Sequence, residues 1–191
     1  MTNDIKISHL ANEIEIDDFL KLSIVSIERF EEFKIGVTKD FDHMKQWLPW
    51  IKEDIEGSSL EFYTQSINWK EQDKEVNWNI LYDNKLVGAI SFLKRDPSAQ
   101  CLEIGYWLFS TYKGKGIITK CAKVLINLAF SETVTPEVMI ACDKANDKSA
   151  NVAKRLGFTL FREFKDEKLT MSETGVAQHY KFSRKEWENS I

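Results

Sequence analysis

From Val76 to Phe109 the chain alternates apolar and polar residues in three runs, "VNWNILY", "LVGAISFL" and "LEIGYWLF". A period of two sends successive side chains to opposite faces of an extended strand. The turn-forming stretches "DNK" and "RDPSAQ" separate the runs, so the three predict an antiparallel meander. After it the period lengthens. Ile118, Cys121, Leu125 and Leu128 recur every three to four residues and predict a helix of about four turns. It stops before "TVTPE", where proline cannot continue it. "VMIAC" predicts a buried-type strand, and "NDKSANVAKRLGF" a short helix closed by Gly157. "FTLFREF" and "AQHYKFS" predict a hairpin.

The N-terminal part is patterned less sharply. "IKISHL" alternates enough to predict a first strand. The spacing of Ile16, Leu20, Ile24 and Ile27 predicts a helix, with Asp17 and Asp18 suited to its positive end. Ser58 and Glu61 have the capping-box spacing and Leu60, Tyr63 and Ile67 follow, which predicts a second helix starting at Ser58. Repeats, linkers and low-complexity tracts are lacking, so residues 1–191 read as one α+β domain.

Composition narrows the function classes. With 43% hydrophobic and 29% charged residues in 191, the chain reads as a soluble globular protein able to bury a core. A net charge of −4 argues against general nucleic-acid binding, which needs a basic face to displace phosphate counterions. Cys101, Cys121 and Cys142 lack paired metal-ligand spacing and read as small buried hydrophobes of a reducing compartment, with no metal site. "MTNDIKISHL" carries an acid and no long apolar core, unlike a signal peptide, and no apolar run reaches the roughly 20 residues of a membrane span. A cytoplasmic protein is the expectation.

The chemistry concentrates at "STYKGKGIITK", where two of only 8 glycines stand one residue apart between a strand and a helix. The first turn of a helix leaves N–H groups without intrahelical partners, and the helix dipole adds positive charge. Glycines let that backbone approach a phosphate, and Lys113, Lys115 and Lys120 add charge. A plain turn would also use two glycines. Neither the G-x-x-x-x-G-K-[ST] spacing nor a third glycine of the dinucleotide fingerprint is present.

In order along the chain, "WLPW" at 47–50, "EIGYW" at 103–107, the glycine loop, the N-x-x-S-x-x-V helix and "RKEW" at 184–187 resemble the GNAT superfamily of acetyl-CoA-dependent N-acetyltransferases. The likeness is strongest to the type that acetylates the N-terminal alanine or serine of ribosomal proteins. Thr111 stands where the family usually has Arg or Gln, and Asn151 where an arginine is common. The resemblance implies a mixed sheet of about seven strands, splayed near its middle, with about four flanking helices. It implies that backbone groups of Trp107, Leu108 and Phe109 pair with the pantetheine arm of acetyl-CoA. Amides of Gly114, Lys115, Gly116, Ile117 and Ile118 would hold the pyrophosphate, with the Thr119 hydroxyl beside them and Asn146 on the arm. For the Trp107 side chain ordinary packing is the expectation.

Acetyl transfer from a thioester needs a neutral amine, a polarised carbonyl and a proton for the thiolate. Glu103, on the cleft-facing phase of its strand, is the candidate base, its other readings being a solvated strand carboxylate or a partner for a basic group. Glu173 and His179 are lesser candidates. Ser149 is the candidate acid, against a helix-capping role for the Asn146–Ser149 stretch. Trp47 and Trp50 are expected to line the acceptor cleft, though such aromatics also plug cores. The acidic balance favours a cationic acceptor such as a peptide N-terminus. Alternatives are a small-amine acetyltransferase and a CoA-binding module without catalysis. A homodimer would fit the family's habits.

Overall fold

The computed structural model describes residues 4–95 and 100–190. Its strands are β1 (Glu13–Glu15), β2 (Leu20–Ile24), β3 (Glu75–Tyr82), β4 (Lys85–Leu93), β5 (Cys101–Leu108), β6 (Glu137–Asp143), β7 (Thr159–Lys165) and β8 (Val176–Ser183). They form one sheet in the order β1-β2-β3-β4-β5-β6-β8-β7, one strand more than expected. Five α-helices accompany it: α1 (Phe30–Met44), α2 (Ile55–Glu71), α3 (Ile117–Glu132), α4 (Asp147–Arg155) and the short α5 (Arg184–Glu188).

The β3–β4–β5 meander forms as its alternation predicts, and Asp83 and Asn84 turn between β3 and β4 with φ of 51° and 56°. Most of "RDPSAQ" lies outside the described residues. Strands β7 and β8 form the expected hairpin. Among the described residues only β5 and β6 run parallel, joined by the α3 crossover, and this pairing covers just Cys101–Glu103 against Glu137–Met139. Both strands continue, to Leu108 and Asp143, but they part. A wedge therefore opens in the middle of the sheet.

Alternation sorts the core into two layers. Val76, Trp78, Ile80, Phe92, Leu102, Ile104, Val138 and Ile140 pack with the buried face of α3 and with Ala150 and Ala153 of α4. A second, smaller cluster joins Phe33 and Val37 of α1 and Tyr63 of α2 to Leu81, Leu86 and Phe109.

Three N-terminal expectations fail. "IKISHL" is buried at Ile5, Ile7 and Leu10 but is not a strand; the Asp73 carboxylate takes the N–H of Ile7 and Ser8 at 2.8 and 2.7 Å instead. The segment read as a helix from Ile16 is the end of the β1–β2 hairpin, whose turn Asp17 stabilises by accepting from the N–H of Phe19 and Leu20. A spacing of four is also twice the strand period, so Leu20, Leu22 and Ile24 satisfy a strand equally well. After a 3-10 turn at Ile27–Arg29 the first α-helix starts only at Phe30. Helix α2 starts at Ile55, earlier than Ser58, because Asp54 is its N-cap and accepts from the N–H of Gly57 at 3.0 Å.

Candidate active site

After β5 the chain makes a 3-10 turn at Ser110–Tyr112 and enters the glycine loop. Asp40 of α1 fixes this turn by accepting from the Ser110 N–H at 2.7 Å and from its hydroxyl. Gly114 and Gly116 have φ of 77° and 74°, the left-handed region, and a Cβ at either would meet no heavy atom within 4 Å. Gly116 is the N-cap of α3, whose first turn carries no acidic residue. Among the described residues, the N–H groups from Gly114 to Thr119 have no hydrogen-bond acceptor. Open space, free donors and the positive end of a 16-residue helix make this an anion cradle that fits a pyrophosphate.

The wedge supplies the next part. Beyond Glu103 the edge of β5 that faces β6 has no strand partner among the described residues, so Trp107 and Leu108 can offer backbone groups to an extended ligand, whereas the Phe109 N–H is given to the Val87 carbonyl at 2.9 Å and its own carbonyl accepts from the Tyr112 N–H at 3.0 Å. Across the wedge, Asn146 caps α4 and accepts from the Ser149 N–H at 3.2 Å. The cap is thus Asn146, and the Ser149 side chain is free for other bonds. Its hydroxyl lies 2.9 Å from the Tyr106 hydroxyl. Burial pushes the Tyr106 phenol well above its ordinary range, so it stays protonated, and it raises the Cys142 thiol as well. Two neutral hydroxyls therefore meet at the head of the wedge. Sequence reasoning passed over Tyr106, whose phase sets it on the α3–α4 face away from Glu103. Its polar tip in "EIGYW" is the signal that was available.

A cavity of about 950 Å³ leads from the wedge to the face of the sheet under α2. It is lined by Asn146, Ser149 and Tyr106 at one end and by Trp47, Trp50 and Phe62 at the other. The glycine loop is not in its lining and opens separately to solvent. Trp50 stacks on Phe62 with centroids 4.6 Å apart and meets Trp107 edge-on at 6.4 Å, so it lines the cavity and packs the second core cluster together. The Trp107 ring is likewise packed, against Phe33 and Phe109, while its buried indole N–H finds no partner among the described residues. Cys101 and Cys142 are half-buried in the cavity wall; only Cys121 is the buried hydrophobe expected of all three.

Glu103 faces the cavity with only 6% of its surface exposed, and Arg95 Nε reaches both its carboxylate oxygens at 3.0 and 2.9 Å. Glu103 is thus the partner of a basic group, and its carboxylate lines the cavity. Glu75, level with it across β3–β4–β5 in register, was not anticipated; burial raises its carboxyl, against a bond from Asn77 at 2.9 Å. Glu173 also lines the cavity, but its carboxylate is taken up by the N–H of Leu169 and Thr170. His179 packs edge-on to Phe164, and burial lowers its imidazole despite Glu103 nearby. Among the described lining residues, seven carboxylates stand against four Lys or Arg. No cluster of potential metal ligands occurs among the described residues.

A parallel pair parted over a glycine-rich helix start, with hydroxyls at its head and an acidic cavity beside it, is the arrangement that the resemblance to acyl-CoA-dependent acyltransferases implies. Residues 20–159 match the acetyltransferase (GNAT) domain family, and the chain belongs to it. The ribosomal-protein-serine acetyltransferase of Escherichia coli (strain K12) is 32% identical over 152 residues, covering 79% of this chain and 85% of that protein. The structure of the microcin C7 self-immunity acetyltransferase MccE with acetyl-CoA and AMP superposes with a TM-score of 0.83 at 25% identity, over 92% of this chain and 98% of the other. RimL, a ribosomal L7/L12 α-N-protein acetyltransferase in complex with coenzyme A, shares the fold with a TM-score of 0.81 at 21% identity, over 90% and 97%. The protein is an acetyl-CoA-dependent N-acetyltransferase. No described helix is long and apolar enough to cross a membrane.

Proposed function

We propose that residues 1–191 form a single catalytic domain, cytoplasmic in its working place, that acetylates the N-terminal α-amine of a protein or peptide, of ribosomal-protein type. The observation that carries this reading is the acidic, aromatic-walled cavity that meets the wedge at Ser149 and Tyr106. A chain terminus is slender and cationic, and this cavity is long and lined with carboxylates. The name of the Escherichia coli relative supports the same acceptor class. A small amine is the second reading, supported by the likeness to MccE.

In this reading acetyl-CoA lays its pyrophosphate on the amides of Gly114, Lys115, Gly116, Ile117 and Ile118, with Thr119 beside them. Its arm runs along Trp107 and Leu108, and the Asn146 carboxamide N–H₂, left over from capping, donates to it. The amine nitrogen attacks the thioester carbonyl. A C–N bond forms, the C–S bond breaks, the amine proton passes toward Glu103 and on to solvent, and the departing thiolate accepts hydrogen bonds from the Tyr106–Ser149 pair and takes its proton from water. A free α-amine titrates near 8, so only modest help from a carboxylate is required.

The test is release of free thiol from acetyl-CoA with peptides, ribosomal proteins and small amines as acceptors. Turnover confined to small amines overturns the peptide assignment. Glu103→Gln keeps shape and removes charge, so turnover is expected to fall, most steeply at low pH where fewer amines are neutral. An unaltered pH–rate profile reduces Glu103 to the partner of Arg95. For the aromatic wall, Trp47→Ala is expected to raise the acceptor KM several-fold with little change in melting. Trp50→Ala does so with a stability loss of about 3 kcal/mol, since its ring is half of a packed stack. An acceptor KM unmoved in Trp47→Ala removes Trp47 from the cleft.

A further inference from the structure

The segment 166–175 that joins β7 to β8 is far longer than the about two to five residues of a common hairpin loop. Asp166, Glu167, Leu169 and Glu173 place it in the cavity wall. Three sets of hydrogen bonds pin it as a strap. At its neck the Asp166 N–H donates to the Gly175 carbonyl at 3.0 Å. At its tip the Glu173 carboxylate accepts from the N–H of Leu169 and Thr170 at 2.6 and 2.9 Å. The Thr170 hydroxyl then donates to the Gln46 carbonyl at 2.7 Å, one residue before Trp47. At its base stands Asp143, the last residue of β6. The Asp143 carboxylate accepts from the Thr174 N–H at 3.0 Å to either oxygen, from the Thr174 hydroxyl at 2.9 and 3.1 Å, and from the N–H of Gly175 and Val176 at 3.0 and 3.3 Å.

The same side chain serves the other side of the wedge. Asp143 Oδ1 accepts from the Ala145 N–H at 2.8 Å, and the Asp143 carbonyl accepts from the Asn146 N–H at 2.8 Å. That turn delivers Asn146 as the cap of α4 and sets Ser149 beside Tyr106. The two oxygens divide their partners. Ala145 bonds Oδ1 alone, Gly175 and Val176 bond Oδ2 alone, and Thr174 bonds both. Burial acts to raise this carboxyl, but the donors from Thr174, Ala145 and Gly175 outweigh it and hold the group below its ordinary range. It therefore stays ionised, as an acceptor for so many N–H groups must.

We propose that Asp143 is a positioning residue that locks the acceptor wall to the Ser149 hydroxyl. One oxygen sets the turn into Asn146 and Ser149, and the other holds the strap that carries Asp166, Glu167 and Leu169 into the cavity. The inference rests on the acceptor entering this cavity, whether it is a peptide or a small amine. Releasing the strap withdraws carboxylates that would face a cationic acceptor, so the Oδ2 side governs acceptor binding. The Oδ1 side governs the turn, and with it turnover.

The experiment compares Asp143→Asn and Asp143→Ala in the full chain. The acceptors are a synthetic octapeptide beginning with serine, and spermidine; calorimetry reads CoA binding and mass spectrometry reads amide hydrogen exchange. In Asp143→Asn the carboxamide oxygen keeps the Ala145 bond, while its N–H₂, itself a donor, cannot accept from Gly175 and Val176. Acceptor KM is expected to rise about 5- to 20-fold, with kcat within about threefold and CoA affinity within about twofold. The amides of 167–175 are expected to exchange at least about tenfold faster while those of α4 hold. Asp143→Ala loses both sets of bonds and is expected to lower kcat about tenfold besides. An acceptor KM unmoved in Asp143→Asn, even with a lowered melt, reduces Asp143 to a structural residue and overturns the proposal. Equal kcat in the two variants overturns the division between the oxygens. If the unaltered protein turns over neither acceptor, the cavity reading itself fails. Exchange then decides the anchor by itself, and strap amides as slow in Asp143→Asn as in the unaltered protein overturn it.

Discussion

Turnover is expected to fall about 10- to 100-fold in Ser149→Ala and in Tyr106→Phe, with acetyl-CoA affinity little changed in either. The two hydroxyls lie 2.9 Å apart at the head of the wedge, where the thioester sulfur would sit. A hydrogen bond to sulfur gains most as the C–S bond breaks, so removing its donor costs transition-state energy and little ground-state binding. Because the hydroxyls act as one unit, the double variant is expected to lose far less than the product of the single losses. Stability separates this from a capping role. The cap of α4 is the Asn146 side chain on the Ser149 backbone N–H, and that bond survives Ser149→Ala. Asn146→Ala is the variant expected to lose about 1 kcal/mol in a thermal melt. Full activity in Ser149→Ala, or a double loss equal to the product, removes the pair from the mechanism.

Gly116→Val is expected to weaken acetyl-CoA binding at least tenfold. At φ of 74° a β-branched residue costs about 1–2 kcal/mol of backbone strain, which calorimetry alone would confuse with lost affinity. The free protein has open space around a Cβ at this position, so the strain is not compounded by a clash until the ligand arrives. Measuring melting beside CoA affinity divides the two effects. A melt lowered with unchanged affinity would retire the loop as a phosphate cradle.

Glu103 shows how far the chain pattern reaches. Its strand phase was legible, and so was its place on the cavity side of β5. Its clasp by Arg95, eight residues earlier in the chain, was not, because a turn sequence does not state which way a long side chain folds back. Tyr106 and Ser149 are separated by 43 positions, and no periodicity relates them. They meet because α3 carries the chain over the sheet and returns it as β6, beside a strand from which it then departs. The N-terminal misreading has a different origin. Apolar residues four apart fit a helix and a strand alike, and the Asp17 turn, a local signal for the hairpin, was read as a helix start.

The sequence by itself determined the meander, the glycine loop with its helix, and the β7–β8 hairpin, because each is decided within some 10 to 30 residues by periodicity and turn chemistry. It also carried the acetyltransferase resemblance, which follows the order of those local pieces. Only the tertiary structure decided the Arg95–Glu103 and Tyr106–Ser149 pairs and the contact of Lys113 with His43. Those depend on side chains far apart in the chain, brought together by burial of two apolar layers against one sheet. The wedge belongs to the same class: the strand pattern of β5 and β6 continues past Glu103 and Met139, and only their divergence in space leaves a backbone edge free for a ligand.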